Sequence, residues 1–217
     1  MKRHIKILAI LFLSMGIISC SKEDFNYPEG YVGVSKVTNY ATFDMKGSRY
    51  VILNKGGTYT EAGVTAKEGD RDLPVTITGT VNTAVAGVYN LTYSAVNADG
   101  FPASVNRTVI VADIGADAAA MDLSGNYART LNGSIAAWTR LAPGVYSVFN
   151  PGGAPGTNLT VIVFHTSANT IDFPVQVASD GGTYSGRNES FNPLTNTYSW
   201  VVVNSGYGTA LRTFVKQ

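Results

Sequence analysis

Charge is in short supply along this chain. Only 14% of its 217 residues are Asp, Glu, Lys or Arg, little more than half the roughly 25% of an ordinary soluble domain. A composition so poor in charge excludes a coiled coil and a charge-driven disordered chain. The 16 basic and 15 acidic residues nearly cancel, and no cluster of Lys and Arg offers the footprint that nucleic acid requires. Cysteine occurs once, at Cys20, and histidine twice, at His4 and His165. A single thiol cannot close an intramolecular disulfide, and a zinc site of the usual His and Cys composition cannot be assembled.

The main unbroken apolar run lies at the N-terminus. Lys2, Arg3 and Lys6 precede Ile7 to Met15, which Ser14 alone interrupts. This is shorter than the about 20 residues a membrane-spanning helix needs, so it reads as a secretory signal. The segment ends Ile17-Ile18-Ser19-Cys20 and resembles the lipobox of bacterial lipoproteins. That resemblance implies removal of residues 1–19 and lipid modification of Cys20, with residues 20–35 as a lipid-anchored tether. Acyl chains contribute about 0.8 kcal/mol per buried methylene, which makes Cys20 an anchor rather than a catalyst. The following Ser21-Lys22-Glu23-Asp24 is similar to the acidic export tract of Bacteroidetes lipoproteins, implying outer-membrane attachment with exposure at the cell surface. Loss of Lys2, Arg3 and Lys6 leaves 13 basic against 15 acidic residues, a mildly acidic mature chain.

Beyond the tether, strand signals dominate. Val75 to Val81 and Val88 to Val96 alternate apolar and polar residues, the period of a half-buried strand. Arg49 to Leu53 precedes the turn Asn54-Lys55-Gly56-Gly57, and Arg107 to Val111 closes the series. The order Tyr59-Thr60-Glu61-Ala62-Gly63-Val64, Gly79-Thr80-Val81, Gly87-Val88-Tyr89-Asn90-Leu91-Thr92-Tyr93 and Arg107-Thr108-Val109 resembles bacterial immunoglobulin-like domains. Residues 36–112 are therefore expected to form an Ig-like β-sandwich acting as a spacer, with Tyr93 placed like the tyrosine of a tyrosine corner. Residues 113–120 are small and lack alternation, and are expected to be a linker with at most a short helix.

Residues 121–217 carry a further seven or eight strand segments separated by Gly, Pro and Asn turns, including the loop Asn150-Pro151-Gly152-Gly153-Ala154-Pro155-Gly156. The pattern predicts a second antiparallel β-sandwich or barrel, giving an all-β chain of two domains. This half resembles the C-terminal β-rich domains of small Bacteroidetes lipoproteins, many of them encoded beside glycan-uptake systems. That resemblance names no chemistry.

Catalytic equipment is thin. His165 is the only mature histidine, it sits in the strand pattern Val161 to Thr166, and no Gly-x-Ser-x-Gly elbow exists. The second domain offers four carboxylates, Asp122, Asp172, Asp180 and Glu189, against Arg129, Arg140, Arg187, Arg212 and Lys216. A glycosidase would need two of those carboxylates to converge. Asp70 with Asp72, and Asp113 with Asp117, are too sparse for calcium. No catalytic residue, metal or cofactor is expected.

Aromatic side chains are plentiful by contrast. Trp138 and Trp200, the two tryptophans, both fall in the second domain. Rings stack on the apolar faces of sugars while amides bond the hydroxyls. Trp138, Tyr184, Asn204 and Tyr207 are the candidate ligand-binding residues, and the pattern Tyr198-Ser199-Trp200 points Trp200 toward a core. The expected function is a non-catalytic surface lipoprotein whose Ig-like spacer presents a glycan-binding domain within a polysaccharide-uptake system. Two alternatives stay open: a structural partner of outer-membrane transport proteins, and a small glycosidase.

Overall fold

The computed structural model describes residues 26–33 and 35–217. The leader, Cys20 and the Ser21–Asp24 tract lie outside the described residues. Tyr31–Val32 (β1) and Ser35–Lys36 (β2) pair as a short antiparallel hairpin in a unit that ends at Asn39. Residues 40–217 form another compact unit, in which every regular element but one is a strand.

That unit begins with an Ig-like sandwich. Thr42–Met45 (β3), Val64–Glu68 (β5) and Arg71–Leu73 (β6) form one sheet, in the order β3-β5-β6. Tyr50–Asn54 (β4), Thr76–Thr78 (β7), Gly87–Val96 (β8) and Pro102–Ala112 (β9) form the other, in the order β4-β9-β8-β7, with β4 parallel to β9. Strand alternation sends Leu91, Tyr93, Val109, Val51 and Leu53 inward against Met45 and Val64. Where the chain leaves β7, Gly79 has φ +100° and a Cβ would lie 2.3 Å from the Asn90 carbonyl oxygen, so only glycine fits.

One arginine is sealed inside this sandwich. Arg107 is 1% exposed, pairs with the Glu61 carboxylate and donates to the Lys46 carbonyl oxygen. Glu61 also accepts from the Tyr59 hydroxyl and, at 2.7 Å, from the Gly63 N–H. Tyr93 is fully buried beside the same carboxylate, with the Arg107 guanidinium 5.6 Å from its ring centroid. Desolvation pushes the Glu61 pKa upward, but the Tyr59 and Tyr93 hydroxyls, the Gly63 N–H and the Arg107 charge outweigh it and leave the value at about 2.

The second half answers the choice between sandwich and barrel. Gly125–Arg129 (β10), Ile135–Ala142 (β11), Val145–Phe149 (β12), Thr160–Ser167 (β13), Thr170–Asp172 (β14), Gln176–Val177 (β15), Thr183–Asn192 (β16), Thr197–Val203 (β17) and Arg212–Lys216 (β18) form one antiparallel sheet, ordered β14-β13-β12-β11-β10-β18-β17-β16-β15. Its edges are the two pieces of what the sequence presents as a single strand, 170–177. Pro174 has no N–H for a ladder bond, which breaks that strand in two. The edges are then stitched together. The Gln176 carboxamide accepts from the Ile162 N–H at 2.6 Å and donates to the Ile162 carbonyl at 2.7 Å, replacing one rung of the ladder. Gly186 N–H donates to the Phe173 carbonyl at 2.7 Å and Phe191 N–H to that of Asn169 at 3.2 Å. The sheet therefore curls upon itself as a half-barrel whose edges are joined by these few bonds, called the barrel below.

Aromatic rings fill its interior. Trp138 stacks on Trp200 with centroids 5.8 Å apart and planes 15° from parallel, and Tyr198 stacks on Phe214 at 4.7 Å. Tyr127, Tyr146, Phe173 and Phe191 complete the packing.

The connection between the two halves is fastened down. Ala116–Ala120 forms the short helix α1, with Ala118 fully buried. Gly115 N–H donates to the Thr166 carbonyl at 2.9 Å, and the Asp117 carboxylate accepts from the Ala168 N–H at 2.7 Å. Next to it, Ile110 and Ala112 of β9, with Ile52 and Val88, pack on Val145, Ile162 and Phe164 of the barrel wall. Burying side chains of this size contributes about 1.5–3 kcal/mol each. The Ig-like sandwich is thus seated on the barrel wall rather than held off by a flexible joint.

Candidate functional site

The face of the β4-β9-β8 sheet turned toward the barrel changes character along its length. At one end Val88, Ile110 and Ile52 make the apolar contact just described. Register then places Asn90 and Tyr50 on either side of Thr108, and Thr92 opposite Asn106. With amides and hydroxyls in place of aliphatic groups, this part of the sheet is not sealed, and a cleft of about 330 Å³ opens between it and the barrel. The far wall is the barrel segment Thr160–Ile162 together with Gln176–Ser179.

Some of the lining is already hydrogen-bonded. The Thr108 hydroxyl donates to Asn90 Oδ1 at 3.0 Å, and Ser179 Oγ accepts from the Thr160 N–H at 2.8 Å while donating to the Asn158 carbonyl. Gln176 is committed to Ile162. Other groups are unspent: the side chains of Arg49, Thr92 and Asn106 make no hydrogen bond or ion pair within the described residues. Tyr50 is 53% exposed beside them. A smaller pocket of about 230 Å³, lined by Phe43, Met45 and Val105, shares Arg49 and Asn106 with the cleft. No carboxylate lines either space. The arrangement offers amide and hydroxyl donors and acceptors, one guanidinium and one open ring.

The residues nominated from the sequence are arranged otherwise. Trp138 is a core residue, 3% exposed, and corrects the expectation of a ligand-facing ring. It falls in phase with Ala136 on the inner face of β11, and Tyr127, Tyr146, Tyr198 and Trp200 surround its indole. Tyr184, Asn204 and Tyr207 do come together at one end of the barrel, with the Tyr184 and Tyr207 rings 5.8 Å apart. Their polar atoms serve local structure. Tyr184 donates to Asp180 at 2.7 Å, which raises its own pKa to about 12 and lowers that of Asp180. Asn204 donates to the Thr183 carbonyl at 3.1 Å and accepts from the Gly206 N–H at 2.9 Å. Tyr207 lies against Gly152, where a Cβ would come within 2.0 Å of its ring.

His165 is fully buried on β13, its ring edge-on to Phe191 at 5.5 Å and its Nε2 3.4 Å from the Ala168 carbonyl oxygen. Of the four barrel carboxylates, Asp172 and Glu189 approach each other at the seam; burial first, then the Glu189 charge, raises the Asp172 pKa. Asp122 is held low chiefly by the Ser124 N–H. The cleft residues were missed because Asn and Thr on alternating strand positions look like any solvent-facing pattern. The available signal was indirect: the apolar run Val161 to Phe164 and the run Val109 to Ala112 are buried on both faces, as strands covered on both sides are.

A family model for the bacterial surface protein Ig-like domain matches residues 43–111. Among solved structures, the chain is similar to the lipoprotein BT2262 from Bacteroides thetaiotaomicron at 27% identity, covering 82% of this chain and 100% of that one, with a TM-score of 0.40. A Clostridium perfringens ZmpB structure, comprising its catalytic domain with two CBM51 domains, is similar at 13% identity over 83% of this chain and 21% of that chain, with a TM-score of 0.31. No curated protein matches the sequence. The segment from β3 to β9, which forms one wall of the cleft, is the part of the chain similar to a bacterial surface Ig-like domain.

Proposed function

We propose that this protein is a non-catalytic binding protein of the cell envelope, and that the cleft between the Ig-like sandwich and the barrel holds a neutral stretch of a glycan. The observation that carries this is the cleft lining: unspent amide, hydroxyl and guanidinium groups of Asn106, Thr92 and Arg49 beside the exposed Tyr50 ring, with no carboxylate among them. Such a set matches the alternating hydroxyls and apolar faces of a sugar chain. The lipobox ending at Cys20 and the following Ser-Lys-Glu-Asp tract support attachment to the outer membrane with the cleft turned to the medium, in the service of polysaccharide uptake. Both β modules build the site, so the Ig-like sandwich acts as a wall of the receptor as well as a support. The apolar pocket around Phe43, Met45 and Val105 favours a second reading, in which a side chain of an outer-membrane partner protein enters there. Screening the mature protein on a glycan array decides between them: binding to neutral oligosaccharides is expected, and an array blank for neutral and charged glycans alike would overturn the glycan reading.

A further inference from the structure

Two arginines meet at the opposite end of the barrel core from His165. Arg129 ends β10 opposite Phe214, and Arg212 opens β18 opposite Trp200, so both share the inner face with those rings. Arg212 is 7% exposed and donates to the carbonyl oxygens of Ala210, at 3.0 Å, and Tyr207. Its guanidinium lies 5.3 Å from the Tyr207 ring centroid. Arg129 donates to the Gly153 carbonyl at 3.2 Å. The Nε–H of each is buried and has no acceptor. Within the described residues neither arginine has a carboxylate in ion-pair range.

The mouth around them is firmly built. Residues 150–153 are buried as a plug, the Trp200 indole N–H donates to the Pro151 carbonyl at 2.8 Å, and Asn132 donates to that of Gly153 at 3.1 Å. Gly153 has φ +56°, and a Cβ there would come within 2.6 Å of Arg129 and 2.9 Å of Phe214. Loop clamping accounts for the carbonyl contacts of the two guanidinium groups. It leaves two like charges and two buried Nε–H donors uncompensated, and an unsatisfied buried donor costs about 1–3 kcal/mol. Burial, followed by the charge of Arg129, accordingly lowers the Arg212 pKa. Because a guanidinium stays protonated, the charge remains in the barrel wall, opposed first by burial and second by the Arg129 charge.

We propose that the barrel mouth binds a single oxyanion, a sulfate, phosphate or carboxylate group, between Arg129 and Arg212. The planar guanidinium fork suits such groups, the unspent Nε–H groups supply donors, and a negative charge removes the repulsion between the pair. The segment 208–211, immediately before Arg212, is exposed to solvent. The inference stands independently of the glycan reading of the cleft.

The test is calorimetric titration of the mature protein with sodium sulfate, against sodium chloride at matched ionic strength, and with a sulfated disaccharide. One saturable sulfate site per chain is expected. Arg129→Gln and Arg212→Gln should each weaken it by about tenfold or more, the loss of one charge-assisted hydrogen bond, while Arg187→Gln on the outer wall leaves it unchanged. Tighter binding of the disaccharide than of sulfate identifies a saccharide substituent as the source, and equal binding identifies the free anion; both support the site. If Arg212→Gln does not fold, Arg129→Gln carries the test. Heats that chloride reproduces, or wild-type affinity in Arg129→Gln, would overturn the proposal.

Discussion

The two β modules bury arginine in opposite ways. In the Ig-like sandwich Arg107 faces Glu61, and the carboxylate is further held by Tyr59 and the Gly63 N–H. In the barrel Arg212 faces backbone carbonyls, the Tyr207 ring and a second arginine, with no carboxylate in ion-pair range among the described residues. Burial disfavours the charge in both, but the Tyr59 contact and the Glu61 charge raise the Arg107 pKa overall, whereas Arg129 adds to the lowering of Arg212. The difference teaches where to look for recognition. A charge closed within the protein fixes loops, while a charge left open, like the unspent amides of the cleft, has capacity for a partner.

Breaking the closed pair should have the largest effect. Glu61→Gln leaves Arg107 buried without a counter-charge and is expected to destabilise the protein by about 3 kcal/mol or more, measured as the urea midpoint by circular dichroism. Trp138 and Trp200 both lie in the barrel, so tryptophan fluorescence in the same titration reports whether the loss crosses the shared apolar interface.

Gly153→Ala should come next. The added Cβ meets Arg129 and Phe214 in a left-handed backbone conformation, a combination expected to cost about 2 kcal/mol and to release the plug over the barrel mouth. Acid should erode the Ig-like sandwich by a route closed to the barrel arginines. The folded pKa of Glu61, about 2, lies below its usual 4.5. The stabilisation it gives is therefore complete above about pH 4.5 and is lost as pH falls toward 2. Thermal unfolding across that window should show a slope that Glu61→Gln reduces, the remainder coming from Asp117, Asp122 and Asp180, whose pKa values are also lowered.

The smallest effect sharpens the contrast. Arg129→Gln removes one of two like charges, and in chloride buffer it should change stability by less than about 1 kcal/mol, against the large loss at Glu61. A loss as great as that of Glu61→Gln would mean that the barrel pair is a closed structural device after all.

Much of the fold was legible from alternation. Val88 to Val96 and Thr197 to Val203 are strands where the period-two pattern puts them, and the Ig-like blocks occur in order. Closure of the barrel was not legible, because the seam is joined by a side chain, Gln176, and by isolated backbone bonds around Pro174 that no periodicity records. The burial of Trp138 was hidden by its neighbours: Thr139 and Arg140 suggest a surface, but they occupy exposed positions while the indole faces inward. The cleft was invisible for a different reason. It exists only because two sheets meet at one end of a face and part at the other, a relation between segments some fifty or more residues apart in the chain, such as Asn106 and Thr160.

The central claim is that the unspent polar groups between the two modules are a glycan-binding site. Affinity electrophoresis in gels carrying neutral polysaccharides, comparing the wild type with an Arg49→Ala, Asn106→Ala double variant, addresses it most directly. Retardation of the wild type is expected, and the variant should lose it while its circular dichroism spectrum stays unchanged. Equal retardation of both proteins would contradict it.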